Sequence, residues 1–230
     1  MAAEQLTFDL PVRAALGRGD YFVSSANEVA VAHIANWQEW SLGKLVLCGP
    51  GGAGKTHLSH VWAKDADAHV VHATDLAPEM VAEIVAHSPN IVVEDVDQIA
   101  GLAQQEQALF HLHNLILAEG GRLLLTALTP PSNWPIALAD LKSRVLGTGL
   151  AQLGPPDDAL ICAVMVKLFA DRQVDVTPDA IQYLAPRMER SFAALGQWVA
   201  RMDTAALSQR RAITRDLARE VYNDFSRADN

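Results

Sequence analysis

A chain of 230 residues, half apolar, one fifth charged and with a formal net charge of −9, can build one large or two small globular domains and is too apolar to be disordered. Its acidity argues against an autonomous duplex-DNA reader, which neutralises phosphates with Lys and Arg. No apolar run reaches the roughly 18 to 20 residues a membrane helix needs, and the start lacks the layout of a secretory signal, so a cytoplasmic protein without membrane contact is expected.

In chain order, "QLTFDL" at residues 5–10 comes first, with Leu6, Phe8 and Leu10 at alternate positions behind Gln5. The pattern suits an edge strand or an extended peptide ligand, and six residues leave both open. From Asn27, an N-cap residue type, Val31, Ile34 and Trp37 recur at helical spacing. "KLVLCG" then reads as a buried strand ending in glycine. After it come a helix over 55–63, strand "HVVH" from His69, a helix over 76–86 and strand "IVVED" from Ile91. A helix over 103–118, stopped by Gly120 and Gly121, leads to strand "RLLLT" from Arg122, a short helix around "LADLKSRV" and a strand near "GLAQL". Continuous apolar strands alternating with helices predict an α/β fold, a five-stranded parallel sheet between helices.

At Gly154, Pro155 and Pro156 the texture changes. Leu160, Ile161, Val164, Met165, Leu168 and Phe169 line one helix, Thr177 and Pro178 cap a second, Phe192, Leu195, Val199 and Met202 mark a third, and a fourth spans 214–222. The expected organisation is a tail over 1–20, a nucleotide-binding base over 21–154 and a small all-α lid over 155–230. Cys48 and Cys162 stand far apart and predict neither a zinc site nor a disulfide. The histidines His57, His60, His69, His72, His111 and His113 lack metal-ligand spacing, and the five tryptophans read as core. The arginines crowd toward the C-terminus, from Arg187 to Arg227, and read as solvated helix faces.

The sharpest signal is "GPGGAGKT", Gly49, Pro50, Gly51, Gly52, Ala53, Gly54, Lys55 and Thr56, followed by His57, between a buried strand and a helix. GxxxxGKT spacing lets glycine amides turn toward phosphate oxygens, brings Lys55 to the terminal phosphates and offers the Thr56 hydroxyl to Mg²⁺. Such a site needs a second acid at the end of a neighbouring strand, and "IVVEDVD" offers Glu94, Asp95 and Asp97. Successive strand residues face opposite ways, so Glu94 and Asp95 cannot both reach one metal, and Asp95 is preferred.

With these residues in place, residues 20–205 resemble the AAA+ family, in the branch of the bacterial replication initiator DnaA. The resemblance rests on "YFVSSANEVAVAHI", the P-loop, the acidic strand, "LFHLHNLILAEGGRLLLTALTPPSNW" with Asn114, Pro130 and Pro131, then "LKSRVLGTGL" and "RMERSFAAL". It implies that the segment with Phe22 and Val23 covers adenine, that Arg144 is an arginine finger and that Arg190 is the lid's sensor, with ADP or ATP held between base and lid. Three departures stand out. The chain stops at Asn230 without the initiator's helix-turn-helix, lacks room for its extra single-strand-binding helix, and has Leu128 near the place of the sensor-strand acid, leaving Thr126 as the polar candidate. Catalytic roles would therefore fall to Arg144, Asp95, Glu94 and Thr126, and metal binding to Thr56 and Asp95.

A short initiator-like ATPase behind such a tail is similar to the Hda family, regulatory inactivators of DnaA. That resemblance implies that Gln5, Leu6, Phe8 and Leu10 dock on the sliding clamp (beta subunit) of the replicative polymerase, although Phe8 stands where an aliphatic is commoner. It further implies a nucleotide-switched regulator that makes DnaA hydrolyse its ATP, more than an efficient ATPase itself, without sequence-specific DNA contacts and with a homodimer open. Two rivals remain: a DNA-associated ATPase or helicase loader, and a clamp-localised adaptor whose nucleotide is structural.

Overall fold

The computed structural model describes Arg13–Ala14 and residues 22–228, with side chains over 22–225. The clamp-peptide residues Gln5, Leu6, Phe8 and Leu10 lie outside the described residues. A short ribbon pairs β1 (Arg13–Ala14) antiparallel with β2 (Phe22–Val23). Then follow α1 (Glu28–Ala35), β3 (Lys44–Cys48), α2 (Lys55–Ala66), β4 (His69–His72), α3 (Val81–His87), β5 (Asn90–Glu94), α4 (Ala103–Ala118), β6 (Arg122–Ala127), α5 (Ala139–Leu146) and β7 (Gly149–Gln152). The chain continues as α6 (Asp158–Asp171), α7 (Pro178–Leu184), α8 (Phe192–Gln209) and α9 (Arg215–Ala228).

Two compact units result: Asn27–Gly154, and the residues from Pro155 onward together with the segment ending at Ala26. In the first, five parallel strands lie in the order β4-β5-β6-β3-β7, so all strand C-termini share one edge. The three central strands are buried along nearly their whole length, which explains their unbroken apolar runs. Helices complete the core, with Ile84, Leu109, Leu112, Ile116 and Leu141 packed on the sheet residues Val46, Val93, Leu123 and Leu125. In the second unit, Ile161, Met165, Phe169, Ile181, Leu184, Leu195, Val199, Met202 and Leu217 form a separate helical core.

Several boundaries differ from the expected ones for local reasons. The helix expected from residue 76 starts at Val81, because Pro78 holds Ala77 extended (φ −133°, ψ 145°) and short 3-10 turns fill the gap. Trp37 leaves the first helix, which ends at Ala35, and packs edge-on against Trp62 with ring centroids 6.2 Å apart. The next helix continues past 63 to Ala66 and closes on Asp67, a left-handed residue. After residue 154 an isolated bridge joins Val176 and Ile213. Residues 22–26, expected with the base, group with the helical unit. There the Asp157 carboxylate caps α6 through the Leu160 amide (2.8 Å) and accepts from Ser25 Oγ (3.2 Å). Burial opposes its charge, yet the hydrogen bonds from Leu160, Ser24, Ser25 and Ala26 hold its pKa below the usual range. Among the described residues no helix is long and apolar enough to cross a membrane.

Candidate phosphate-binding site

The glycine-rich turn grows out of the C-terminal end of β3, at the edge where parallel α/β sheets bind ligands. Its root is clamped from both sides: the Gly49 amide donates to Ala127 O (3.2 Å) and the Leu153 amide to Cys48 O (2.8 Å). A Cβ on Gly49 would lie 2.6 Å from the Leu153 carbonyl oxygen, so no side chain fits there. Gly54, with φ +92°, is the N-cap of α2, and the amides of the first helical turn face the loop without intrahelical partners. The buried Lys55 side chain folds over this turn, donating from Nζ to Gly49 O (2.8 Å) and Pro50 O (3.0 Å). Burial pushes its pKa down, while the charges of Asp95 and Asp97 pull it up. Thr56 and His57 are exposed at the start of α2.

The acids divide by direction. Glu94, 3% exposed, turns toward α2 and β4, accepting from Ser59 Oγ (2.9 Å) with His60 and His72 at 3.8 and 3.9 Å. The strand ends there, because Asp95 adopts a left-handed conformation (φ +57°, ψ +47°) that Asp, like Asn, tolerates better than most side-chain-bearing residues. Its amide donates to the hydroxyl of buried Thr126 (3.1 Å), so Thr126 fixes the turn that aims Asp95. Asp97 accepts from the Leu128 amide through Oδ2 (3.1 Å), while its Oδ1 is buried with no hydrogen-bond partner. Asp95 and Asp97, not Glu94, are the carboxylates whose charge acts on Lys55.

This donor set fits a magnesium nucleotide. A buried carboxylate oxygen without a partner calls for a cation or water, Mg²⁺ takes hard oxygen ligands, and helix amides with a lysine suit phosphate. Thr56 and Asp95 would hold the metal, with Asp97 beside them; the group would supply charge neutralisation at the phosphates.

Arg144 lies elsewhere in the same unit. It sits in the last turn of α5, its side chain exposed and its carbonyl bonded to Lys44, the first residue of β3, so it marks the edge of strand N-termini. Five residues of strand, about 13 Å of rise, separate that edge from the P-loop. Arg190, in the helical unit, is exposed and pairs with Asp158 (2.9 Å) and the Pro156 carbonyl (3.1 Å). Phe22 and Val23, half-buried, belong to the same unit. The sequence offered Asp97 as a candidate acid but favoured Asp95, and it gave Ser59, Lys44 and His113 no place at the site. A lysine opening a buried strand, and an acid two positions past Asp95, were the available signals.

No protein-family model matches the chain. It is 27% identical over 197 residues to the chromosomal replication initiator protein DnaA of Caulobacter vibrioides, a match covering 74% of this chain and 40% of that protein. The chain thus matches less than half the length of the curated relatives. Among solved structures, domain III of Thermotoga maritima DnaA superposes with a TM-score of 0.75 at 15% identity, covering 88% of this chain and 93% of that one. AMPPCP-bound DnaA from Aquifex aeolicus gives 0.66 at 17% identity over 78% and 62%, and the Thermotoga maritima RuvB branch migration motor 0.68 at 16% over 86% and 69%. The sheet order, the P-loop at its C-terminal edge and these superpositions give the chain an α/β P-loop fold of the AAA+ kind, and across 74% of its length it is similar in sequence to the initiator DnaA.

Proposed function

We propose that this protein is a regulator of the Hda type: it binds an adenine nucleotide, docks on the DNA-loaded sliding clamp through Gln5, Leu6, Phe8 and Leu10, and promotes hydrolysis of ATP held by DnaA. The observation that carries the reading is the position of Arg144, exposed at the sheet edge opposite its own P-loop. An exposed guanidinium at the edge remote from its own nucleotide loop suits another molecule's ATP, as arginine fingers supplied in trans do. Lys55, Thr56, Asp95 and Asp97 bind and orient the chain's own nucleotide, with Mg²⁺ neutralising the phosphates, and Arg190 in the helical unit is the proposed sensor of its state. The tail raises local concentration at the clamp, where replication has begun.

The test is hydrolysis of initiator-bound ATP, measured with this protein in the presence and absence of DNA-loaded clamp. Wild type is expected to stimulate turnover in a clamp-dependent manner, and Arg144→Ala to lose on the order of 10³-fold of that stimulation while keeping nucleotide binding. Full stimulation by Arg144→Ala sinks the finger. Steady ATP turnover by this protein alone, stimulated by single strands, would instead favour an autonomous ATPase.

A further inference from the structure

We infer that Lys44 and His113, oriented by Asn114, are positioning residues that hold the last turn of α5 and so set the place from which Arg144 projects. The inference rests on the finger role proposed for Arg144. Lys44 is 3% exposed, yet it faces no carboxylate among the described residues. Its ammonium donates to the Arg144 carbonyl (2.8 Å) and reaches His113 Nε2 at 3.2 Å. An ammonium can only donate, so Nε2 accepts and the ring proton sits on Nδ1, which lies 3.2 Å from Asn114 Oδ1 and donates to it. The order of donors therefore runs in one direction, from Lys44 to His113 to Asn114.

Two features explain why a lysine is tolerated here. The Arg144 carbonyl belongs to the C-terminal turn of α5, the end at which helix carbonyls favour a cation. The neutral imidazole supplies a second acceptor: burial keeps the His113 pKa low, against the bond to Asn114, and the charges of Lys44 and Arg144 push the same way. Burial and the Arg144 charge lower the Lys44 pKa as well. Thr148 Oγ1 adds a second donor to the Arg144 carbonyl at 2.9 Å, so that oxygen is gripped twice. Arg144 itself stays exposed, and its mainchain is the part that is fixed. Three elements converge on one residue's backbone: the start of β3, the middle of α4 and the end of α5.

Hydrogen exchange on the full chain tests this without any partner protein. The Gly147 and Thr148 amides, bonded to Ser143 O and Val145 O, report on the turn. In Lys44→Met and in His113→Leu they should exchange at least tenfold faster, with α2 and β5 unchanged, while His113→Gln, which keeps an acceptor, should stay close to wild type. In the hydrolysis assay, Lys44→Met should lower the maximal stimulated rate about tenfold at an unchanged half-saturating concentration. Wild-type exchange at Gly147 and Thr148 in Lys44→Met overturns the inference, and so does acceleration spread equally through α2 and β5. If Lys44→Met does not fold, the contrast between His113→Leu and His113→Gln decides, equal exchange in the two counting against it. Should Arg144→Ala retain full stimulation, the finger reading fails separately while the exchange result still measures the link.

Discussion

The two edges of one sheet are built from opposite ingredients. At the strand C-termini a single lysine, Lys55, sits in the field of Asp95 and Asp97, and one carboxylate oxygen is left without a partner. At the strand N-termini Lys44 and the Arg144 backbone come together, and among the described residues the Lys44 ammonium has one imidazole and one carbonyl as its acceptors. The first edge has the chemistry that the proposed metal and phosphates call for, with the second Asp97 oxygen free to take a ligand. The second spends its buried cation on holding a helix end, which leaves the exposed guanidinium available to something outside.

Lys55→Met tests the first edge most severely. An ammonium–phosphate contact contributes about 2 to 3 kcal/mol, so affinity for ADP in a calorimetric titration should fall on the order of 100-fold. The same titration on Arg144→Ala should match wild type. Equal losses in the two variants would mean that the edges are not independent, and the contrast drawn between them would collapse.

Glu106 tests how α5 is held at its other end. This buried α4 residue accepts from the Gly101 (2.6 Å), Ala137 (3.0 Å) and Leu138 (2.7 Å) amides, fixing the chain as it enters α5. Burial disfavours its charge, but the amide bonds outweigh it and the pKa lies below the ordinary 4.5. A depressed carboxylate stabilises fully above that unfolded value and loses its contribution as pH falls through the folded one. Glu106→Gln turns an NH₂ group toward amide donors, at a cost of about 2 kcal/mol. Thermal melting at pH 7 should show that difference, and the melting curves of the two proteins should converge in acid. A gap that persists unchanged to low pH would assign the loss to packing instead.

Much of this was legible before any coordinates. The strands are continuous apolar runs because both sheet faces are covered, and GxxxxGKT announced the loop because amide direction and glycine conformations leave few substitutes. The parity argument for strand residues separated Glu94 from Asp95, and the structure turns them apart, although Asp95 lies just beyond the strand in a left-handed turn that alternation alone could not foresee. Boundaries were harder to read where local chemistry competes with periodicity: Pro78 delayed a helix, and Trp37 left one to pack against Trp62. The link from Lys44 to Arg144 was invisible, since it joins residues a hundred positions apart through a mainchain oxygen that any residue could have supplied.

Asp97 gives the finest test, because it predicts two opposite signs. Asp97→Asn keeps an oxygen for the Leu128 amide and removes one negative charge beside Lys55. With EDTA present, losing that charge relieves repulsion of the phosphates, so nucleotide affinity should rise slightly. With Mg²⁺ present, the variant should bind about tenfold more weakly than wild type, roughly the 1.4 kcal/mol of a single charge-assisted contact. Melting of the nucleotide-free protein should hardly move, since the hydrogen bond to Leu128 survives. A change of the same sign and size with and without Mg²⁺ would make Asp97 a residue of the turn alone, and the unpartnered oxygen would then belong to an ordered water.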